Sequence, residues 1–352
     1  MERNVLISGV GFLTKEGFTH SSVYNALQQD RNSVCLAKET KLKMPYDYSM
    51  KFRDISRCAN NGVNAAELAW KDAFSENEEI NLERWGVSVG TAFGGFPETQ
   101  KIQCDAFIEN GPIGISPGLS IHSGFHLTGD IVAINQGLRG PNTTFTSGRL
   151  ASAMALLQAY DDVKYGLIDG NIVVGTESID DYLVRGHQLF QEVPSLNFSD
   201  GACALVLRES CNQVEDKDRI FIRTITYSAH AGKLGRYSHH VSKSLVEAIE
   251  QALTEVNLSR DDIGHVISME GQSTLESKYY KRALSKIWDR NIQRLCITRP
   301  RQVLGDMFGA NAIMGVGIGW LYMQNQPMDN VLIVADDPTG IAWATVLQRG
   351  GK

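Results

Sequence analysis

Gly137-Leu-Arg-Gly-Pro-Asn-Thr-Thr-Phe-Thr146-Ser-Gly-Arg149-Leu-Ala-Ser-Ala-Met-Ala-Leu-Leu-Gln-Ala-Tyr160 changes character repeatedly along its length. Its opening Gly-Leu-Arg-Gly-Pro is a turn, with glycine for backbone freedom and proline for a fixed φ. Residues 142–146 are mostly β-branched and read as a short strand. Residues 149–160 are apolar almost all round, with Leu150, Ala153, Met154, Leu156 and Leu157 pointing in different directions. Such a helix is buried on all sides rather than amphipathic. A buried helix that starts straight after a strand aims its free N–H groups at the sheet's edge. Activated nucleophiles and oxyanions are commonly held at such places. Thr146, Ser147, Gly148 and Arg149 occupy the junction.

Outward from this stretch, strands and helices alternate. Residues 4–10, 84–91, 170–175 and 200–208 read as strands, and 97–110 has helical character. Residues 125–136 form a mostly apolar segment. After a polar link at 211–219 the rhythm restarts. Strands are predicted over 220–227, 263–269, 331–335 and 341–347, and helices over 242–256, 278–288 and 305–322. Each half ends in a strand pair that follows a helix rich in glycine and alanine. A twofold repeat of α/β units in layers accounts for this. We divide the chain at 1–212 and 213–352, expected to form one compact unit.

The chain has 352 residues, 43% hydrophobic and 21% charged, which suits a packed globular protein rather than a disordered one. Its 34 basic and 40 acidic residues give a net charge of −6, which carries no electrostatic footprint for nucleic acid or an anionic membrane. Six cysteines are scattered without a CxxC pair, which argues against zinc ribbons and redox motifs and fits a reducing cytoplasm. The apolar run at residues 5–10 is too short for a signal peptide's core. Residues 307–328 contain no Asp, Glu, Lys or Arg, but the apolar part of about 17 residues is at the short end for a membrane span. A buried Gly/Ala-rich helix is the reading.

Other motifs carry less. Gly9-Val-Gly11 after a strand suggests a dinucleotide turn, yet the third glycine is absent and Asp30 does not end a second strand. A tight strand–turn is the expected reading, with no cofactor. His122 and His126 are four apart but have no third ligand, so no metal is expected. His230, His239 and His240 lie in a polar stretch and are expected at the surface. Ser147 and Ser152 lack a Gly-x-Ser-x-Gly frame.

The ordered set of motifs resembles the β-ketoacyl synthases of the thiolase fold. It comprises Val5-Leu-Ile-Ser-Gly-Val-Gly11, Gly90-Thr-Ala-Phe-Gly-Gly95, Gly137-Leu-Arg-Gly-Pro141, Asp200-Gly-Ala-Cys-Ala-Leu-Val-Leu207, Gly271-Gln-Ser-Thr274, and residues 305–309 with the helix after them. The resemblance implies a thiolase-like fold of duplicated α/β units layered α/β/α/β/α. It also implies a Cys nucleophile at the start of the buried helix and two assisting histidines. Here those places hold Arg149, Glu270 and Asp306, and Arg301 stands where the family has a lysine. No cysteine lies between Cys104 and Cys203, so no shift of register restores a thiol.

An arginine facing two carboxylates suggests that Arg149, Glu270 and Asp306 pair, since buried charges are tolerated only when compensated. A synthase-like chain without its triad resembles the chain length factors of type II polyketide synthases. That implies a heterodimer with an active ketosynthase, an acyl carrier protein bearing a polyketide as second partner, and a cytoplasmic setting. It also implies a tunnel gate at Phe96, Thr99 and Gln103, which share one face of the 97–110 helix. The alternative is an active synthase or acyltransferase with an atypical site.

Overall fold

The structure, a computed structural model, describes residues 2–29, 42–46, 55–75, 78–115, 117, 123–190, 197–210, 218–231 and 238–350. The first half runs β1 (Val5–Leu13), α1 (His20–Gln28), α2 (Arg57–Ala73), β2 (Trp85–Gly90), α3 (Phe96–Asn110) and α4 (Leu127–Gln136). It continues with β3 (Asn142–Phe145), α5 (Ala151–Lys164), β4 (Gly170–Glu177), α6 (Asp181–Phe190) and β5 (Gly201–Glu209). The second half runs β6 (Ile220–Ala229), α7 (His239–Glu255), β7 (His265–Ser268), α8 (Thr274–Trp288) and β8 (Cys296–Thr298). It closes with α9 (Pro300–Leu304), α10 (Asn311–Asn325), β9 (Asn330–Asp337) and β10 (Ile341–Arg349).

The strands lie in the order β3-β2-β4-β5-β1-β6-β10-β9-β7-β8. Counted from either edge, the order is third, second, fourth, fifth, first strand of that half. Directions repeat too: β2 is parallel to β3 and β4, as β7 is to β8 and β9, and the rest are antiparallel. The halves meet where Val5 pairs with Ile222 and Leu6 with Phe221. The repeat expected from the sequence is therefore a property of the sheet.

Helices α5 and α10 pack on each other, α5 on strands of the first half and α10 on strands of both halves, forming a central layer. Leu156, Ala159 and Val163 join Ile313, Val316 and Ile318 in one core there. Outside the sheet, α2 covers β1, β5 and β4, while α7 covers β6 and β10 and carries α8. This is the layered thiolase-like arrangement. Every residue of α10 from Asn311 to Met323 is buried by protein, which explains the uncharged stretch. Among the described residues, no helix is long and apolar enough to cross a membrane.

One reading is corrected. Gly9 and Gly11 do not form a turn: β1 continues through them to Leu13. A Cβ at Gly9 would sit 2.3 Å from the Ala69 carbonyl oxygen, and one at Gly11 would sit 2.1 Å from that of Ala65. The glycines let α2 lie against the strand. They cradle a helix rather than a phosphate.

Candidate functional site

Two elbows meet in the central layer. In the first half, β3 leads through Gly148, at φ +62°, into a 3₁₀ turn at Gly148–Leu150 and then α5. Glycine reaches that backbone region without steric cost. In the second half, Gly305 and Asp306 lead into a 3₁₀ turn at Phe308–Ala310 and then α10. Neither α5 nor α10 has a side-chain N-cap. Both helices start from the same region, so the residues just before them converge.

Arg149 and Asp306 are brought together. Arg149 Nη1 donates to Asp306 Oδ2 at 2.6 Å, and Arg301 Nη2 donates to the same oxygen at 2.5 Å. Asp306 Oδ1 accepts from the Phe308 N–H at 3.0 Å and Asn311 Nδ2 at 2.8 Å. Arg301 Nη1 also donates to Glu276 Oε1 at 2.5 Å and the Met269 carbonyl at 2.7 Å. Arg149, Arg301, Asp306 and Glu276 are all buried.

Glu270 does not join them. It accepts from Arg299 Nε instead. The parallel register of β7 and β8, with Ile267 opposite Thr298, carries Glu270 past the strand end beside residues 299–301. Arg299 reaches it there, and Arg301 turns inward. The expected arginine with two carboxylates is thus two arginines and two carboxylates: Arg149, Arg301, Asp306 and Glu276. Glu276 was not a candidate from the sequence. It is the one acid on an otherwise basic helix, and only the structure shows that it is buried.

Burial alone would raise the Asp306 pKa, but Arg149 and Arg301 hold its carboxyl well below the usual range. Burial raises Glu270, and Arg299 only partly offsets this. Asp336, at the end of β9, is pushed up to about 8 by burial and by the neighbouring Glu276 charge. It accepts from the Tyr280 hydroxyl at 2.6 Å. With Asp336 protonated, two guanidinium groups face two carboxylates, and the cluster is neutral.

The elbow's own N–H is also covered. The Arg149 N–H donates to Asp337 Oδ2 at 3.3 Å, and Thr339 holds Asp337 Oδ1 through its N–H at 2.9 Å and its hydroxyl at 2.6 Å. A carboxylate therefore stands where a developing oxyanion would need a donor. The Arg149 guanidinium lies 4.7 Å over the Phe308 ring. That ring stacks on Phe198 at 4.9 Å and meets Phe93 edge-on at 5.2 Å. Beneath, Glu177 accepts from the Thr91 hydroxyl and from the N–H groups of Ala92, Phe93 and Gly309. It ties the β2–α3 turn to the second elbow. Burial pushes Glu177 up to about 7 despite these donors.

The remaining candidates lie outside this cluster. Ser147 is exposed, and Ser152 is buried with its hydroxyl accepting from the Ile313 N–H at 3.3 Å. Burial and then the Glu177 charge push the Cys58 thiol well up, so it is not a thiolate. His122 lies outside the described residues, and His126 faces Asp130 at 3.6 Å. His230 is held by Glu247 at 2.6 Å, and the His239 and His240 rings lie against each other. Of the gate residues, Thr99 is buried with its hydroxyl on the Gly95 carbonyl at 2.9 Å, and Gln103 is half-buried. The Phe96 side chain lies outside the described residues.

Comparison with known proteins agrees with this fold. The family described as "Beta-ketoacyl synthase, N-terminal domain" matches residues 48–206. The chain is 22% identical over 344 residues to a 3-oxoacyl-[acyl-carrier-protein] synthase 2 of Coxiella burnetii, covering 88% of this chain and 83% of that protein. A β-ketoacyl synthase from Burkholderia phymatum superposes with a TM-score of 0.85 at 19% identity, over the whole of both chains. A ketosynthase in complex with its chain length factor, from Xenorhabdus doucetiae, gives a TM-score of 0.80 at 15% identity, over 99% of this chain and 98% of that one. The chain has the thiolase-like ketosynthase fold.

Proposed function

We propose that the chain is a chain length factor: the non-catalytic partner of an active ketosynthase, shaping the tunnel for a poly-β-keto chain carried on an acyl carrier protein in the cytoplasm. The observation that carries this reading is the filled elbow. Arg149 replaces a nucleophile, its guanidinium is committed to Asp306, and its N–H faces Asp337. Acyl transfer needs a nucleophile, a base and an open oxyanion donor. Here Arg149 and Asp306 are bound to each other, the Arg149 N–H is taken by Asp337, and Glu270 is taken by Arg299.

A partner face supports the same reading. Strand β3 is an edge of the sheet and is partly exposed. Nearby in sequence, the α3–α4 region exposes large apolar side chains, with Ile108 79%, Ile113 96% and Ile134 63% accessible. Exposed apolar side chains of this size are what a partner face would use. In this reading α3 also carries the gate, and Gln103→Trp shortens the products of the reconstituted pair.

The test has two arms. Co-expressed with a ketosynthase, the chain should elute as a 1:1 complex. Incubated alone with acyl- and malonyl-carrier protein, it should show no covalent adduct by mass spectrometry, and Arg149→Cys alone should not create condensation. An adduct on Ser147, or condensation without a partner, would overturn the reading.

A further inference from the structure

Helix α3 is held mainly at its start. Its main packing among the described residues is against the 3₁₀ turn Gly111–Gly114 that follows it. From residue 102 to its end, only Gln103 and Ala106 are not exposed. Its N-cap, Gly95, contributes no side-chain hydrogen bond. The placing of α3 therefore depends on the turn at 91–95 that leads out of β2. That turn is pressed against the second elbow, since a Cβ at Gly309 would lie 2.5 Å from the Ala92 nitrogen. A helix hung from one end moves with that end.

Glu177, the last residue of β4 and fully buried, fastens turn and elbow together. Its Oε1 accepts from the Thr91 hydroxyl at 3.0 Å and the Phe93 N–H at 3.2 Å. Its Oε2 accepts from the Ala92 N–H at 2.7 Å and the Gly309 N–H at 3.3 Å. A carboxylate offers about four acceptor sites and no donor, and here four donors meet it. A glutamine would turn its own N–H groups toward donors. Thr91 passes the hold along, because its Oγ1 accepts from the Gly94 N–H at 2.9 Å, one residue before the N-cap.

We infer that Glu177 is the residue that positions α3, and through α3 the end of the polyketide tunnel. The inference rests on the chain length factor reading for what α3 does, and on the geometry alone for what holds it. The stopping point is then set at two levels. Side chains on α3 block the next two-carbon unit, and the Glu177 latch decides where they stand. The charge cluster reaches the same latch. Asp306 pairs with Arg149 and holds the Phe308 N–H at 3.0 Å, next to the Gly309 N–H that Glu177 takes.

The experiment reads hydrogen exchange by mass spectrometry on the full chain, comparing α3 with α7 in the second half. Glu177→Gln and Thr91→Val each break the latch. Exchange in α3 should speed up about tenfold or more, with α7 within about twofold. Thr91→Val keeps every backbone N–H on the carboxylate, and carries the test should Glu177→Gln not fold. Thr91→Ser keeps the hydroxyl and should retain the protection of α3. Thr226→Val, buried in the second half with its hydroxyl on the Ala248 carbonyl at 2.7 Å, is the control and should leave α3 unchanged. Unchanged α3 exchange in the latch variants, equal acceleration of α3 and α7, or loss of protection in Thr91→Ser would each overturn the inference. Paired with a ketosynthase and a carrier protein, the latch variants should shift the distribution of product lengths with the complex intact. Unchanged products with α3 loosened would overturn the tunnel half of the inference. A chain that forms no complex would defeat the partner-subunit reading instead, and the exchange result would still decide what holds α3.

Discussion

The two elbows of the central layer are built to one plan and held by different means. The first places Gly148 at φ +62°; the second places Phe308 at φ +41°. One position is left-handed at little cost because it lacks a Cβ. The other carries a bulky aromatic in the same region, a conformation that costs about 1–3 kcal/mol and persists only where surroundings fix it. Here the Phe308 N–H is held by Asp306, and its ring is packed by Phe198, Phe93 and Arg149. Asp306 thus serves both elbows, pairing with Arg149 of one and bonding the backbone of the other. Arg149 is one side of a structural joint whose other side is Asp306.

The largest effect should come from the joint itself. Asp306→Ala removes the carboxylate that Arg149 and Arg301 share and frees the Phe308 N–H, so a loss of about 3–5 kcal/mol in urea unfolding is expected. Arg149→Ala should cost less, about 1–3 kcal/mol, because Asp306 keeps Arg301. If Arg149→Ala costs as much as Asp306→Ala, the two elbows lean on Arg149 alone and the shared joint is wrong.

How much of this was readable beforehand divides along the same line. Strand–turn–helix junctions carry local signals, such as Gly-Pro turns and helices apolar all round, so the first elbow and both buried helices were legible, whereas the second elbow was read as part of a helix over 305–322 that in fact starts at Asn311. The absence of a thiol from the first elbow was equally plain, because no cysteine lies between residues 104 and 203. Helix α2 carries no clear sequence signal, because its polar residues look like a loop. Asn61 and Asn64 are in fact buried, with Asn64 bonding the Asn60 carbonyl and the Tyr46 N–H, and Asn61 donating to the Glu177 carbonyl. Which carboxylate meets which arginine was not legible either. That choice depends on the β7–β8 register and on a helix turning Glu276 inward, and neither leaves a trace in spacing along the chain.

The charge balance predicts a pH dependence of intermediate size. The Asp336 pKa is raised in the folded state, so unfolding releases its proton between the ordinary aspartate range and about 8. Its contribution to stability is full at lower pH and is lost as pH rises toward 8, by up to about 1.4 kcal/mol per pH unit for one proton. Burial gives Glu177 the same sign, up to about 7. The Asp306 pKa is lowered, so its contribution is present above the ordinary aspartate range and lost in acid. Asp336→Asn imitates the protonated form and should flatten the slope between about pH 5 and 8, leaving the variant relatively more stable at the alkaline end. An unchanged slope in thermal melts across that range would show that Asp336 is ionised and that the cluster is not neutral.

The smallest effect tests the elbow comparison most sharply, through a sign rather than a size. Ordinarily alanine is more stable than glycine by about 0.5–1 kcal/mol, because glycine loses more backbone freedom on folding. At a left-handed position the order inverts, since a Cβ meets the following carbonyl at a cost of roughly 1–2 kcal/mol. Gly148→Ala should therefore cost about 1 kcal/mol, with its new Cβ also 3.2 Å from Asp337 Oδ2. At the other elbow both Phe308→Ala and Phe308→Gly lose the stacked ring and should be destabilised together by about 3 kcal/mol or more. Within that pair, however, the glycine variant should be the more stable by about 1 kcal/mol, because only it adopts φ +41° freely. Urea unfolding of the two variants side by side measures the difference. If Phe308→Ala is the more stable, its backbone relaxes to an ordinary φ once the ring is gone. The aromatic stack, and not Asp306, would then be what holds the second elbow.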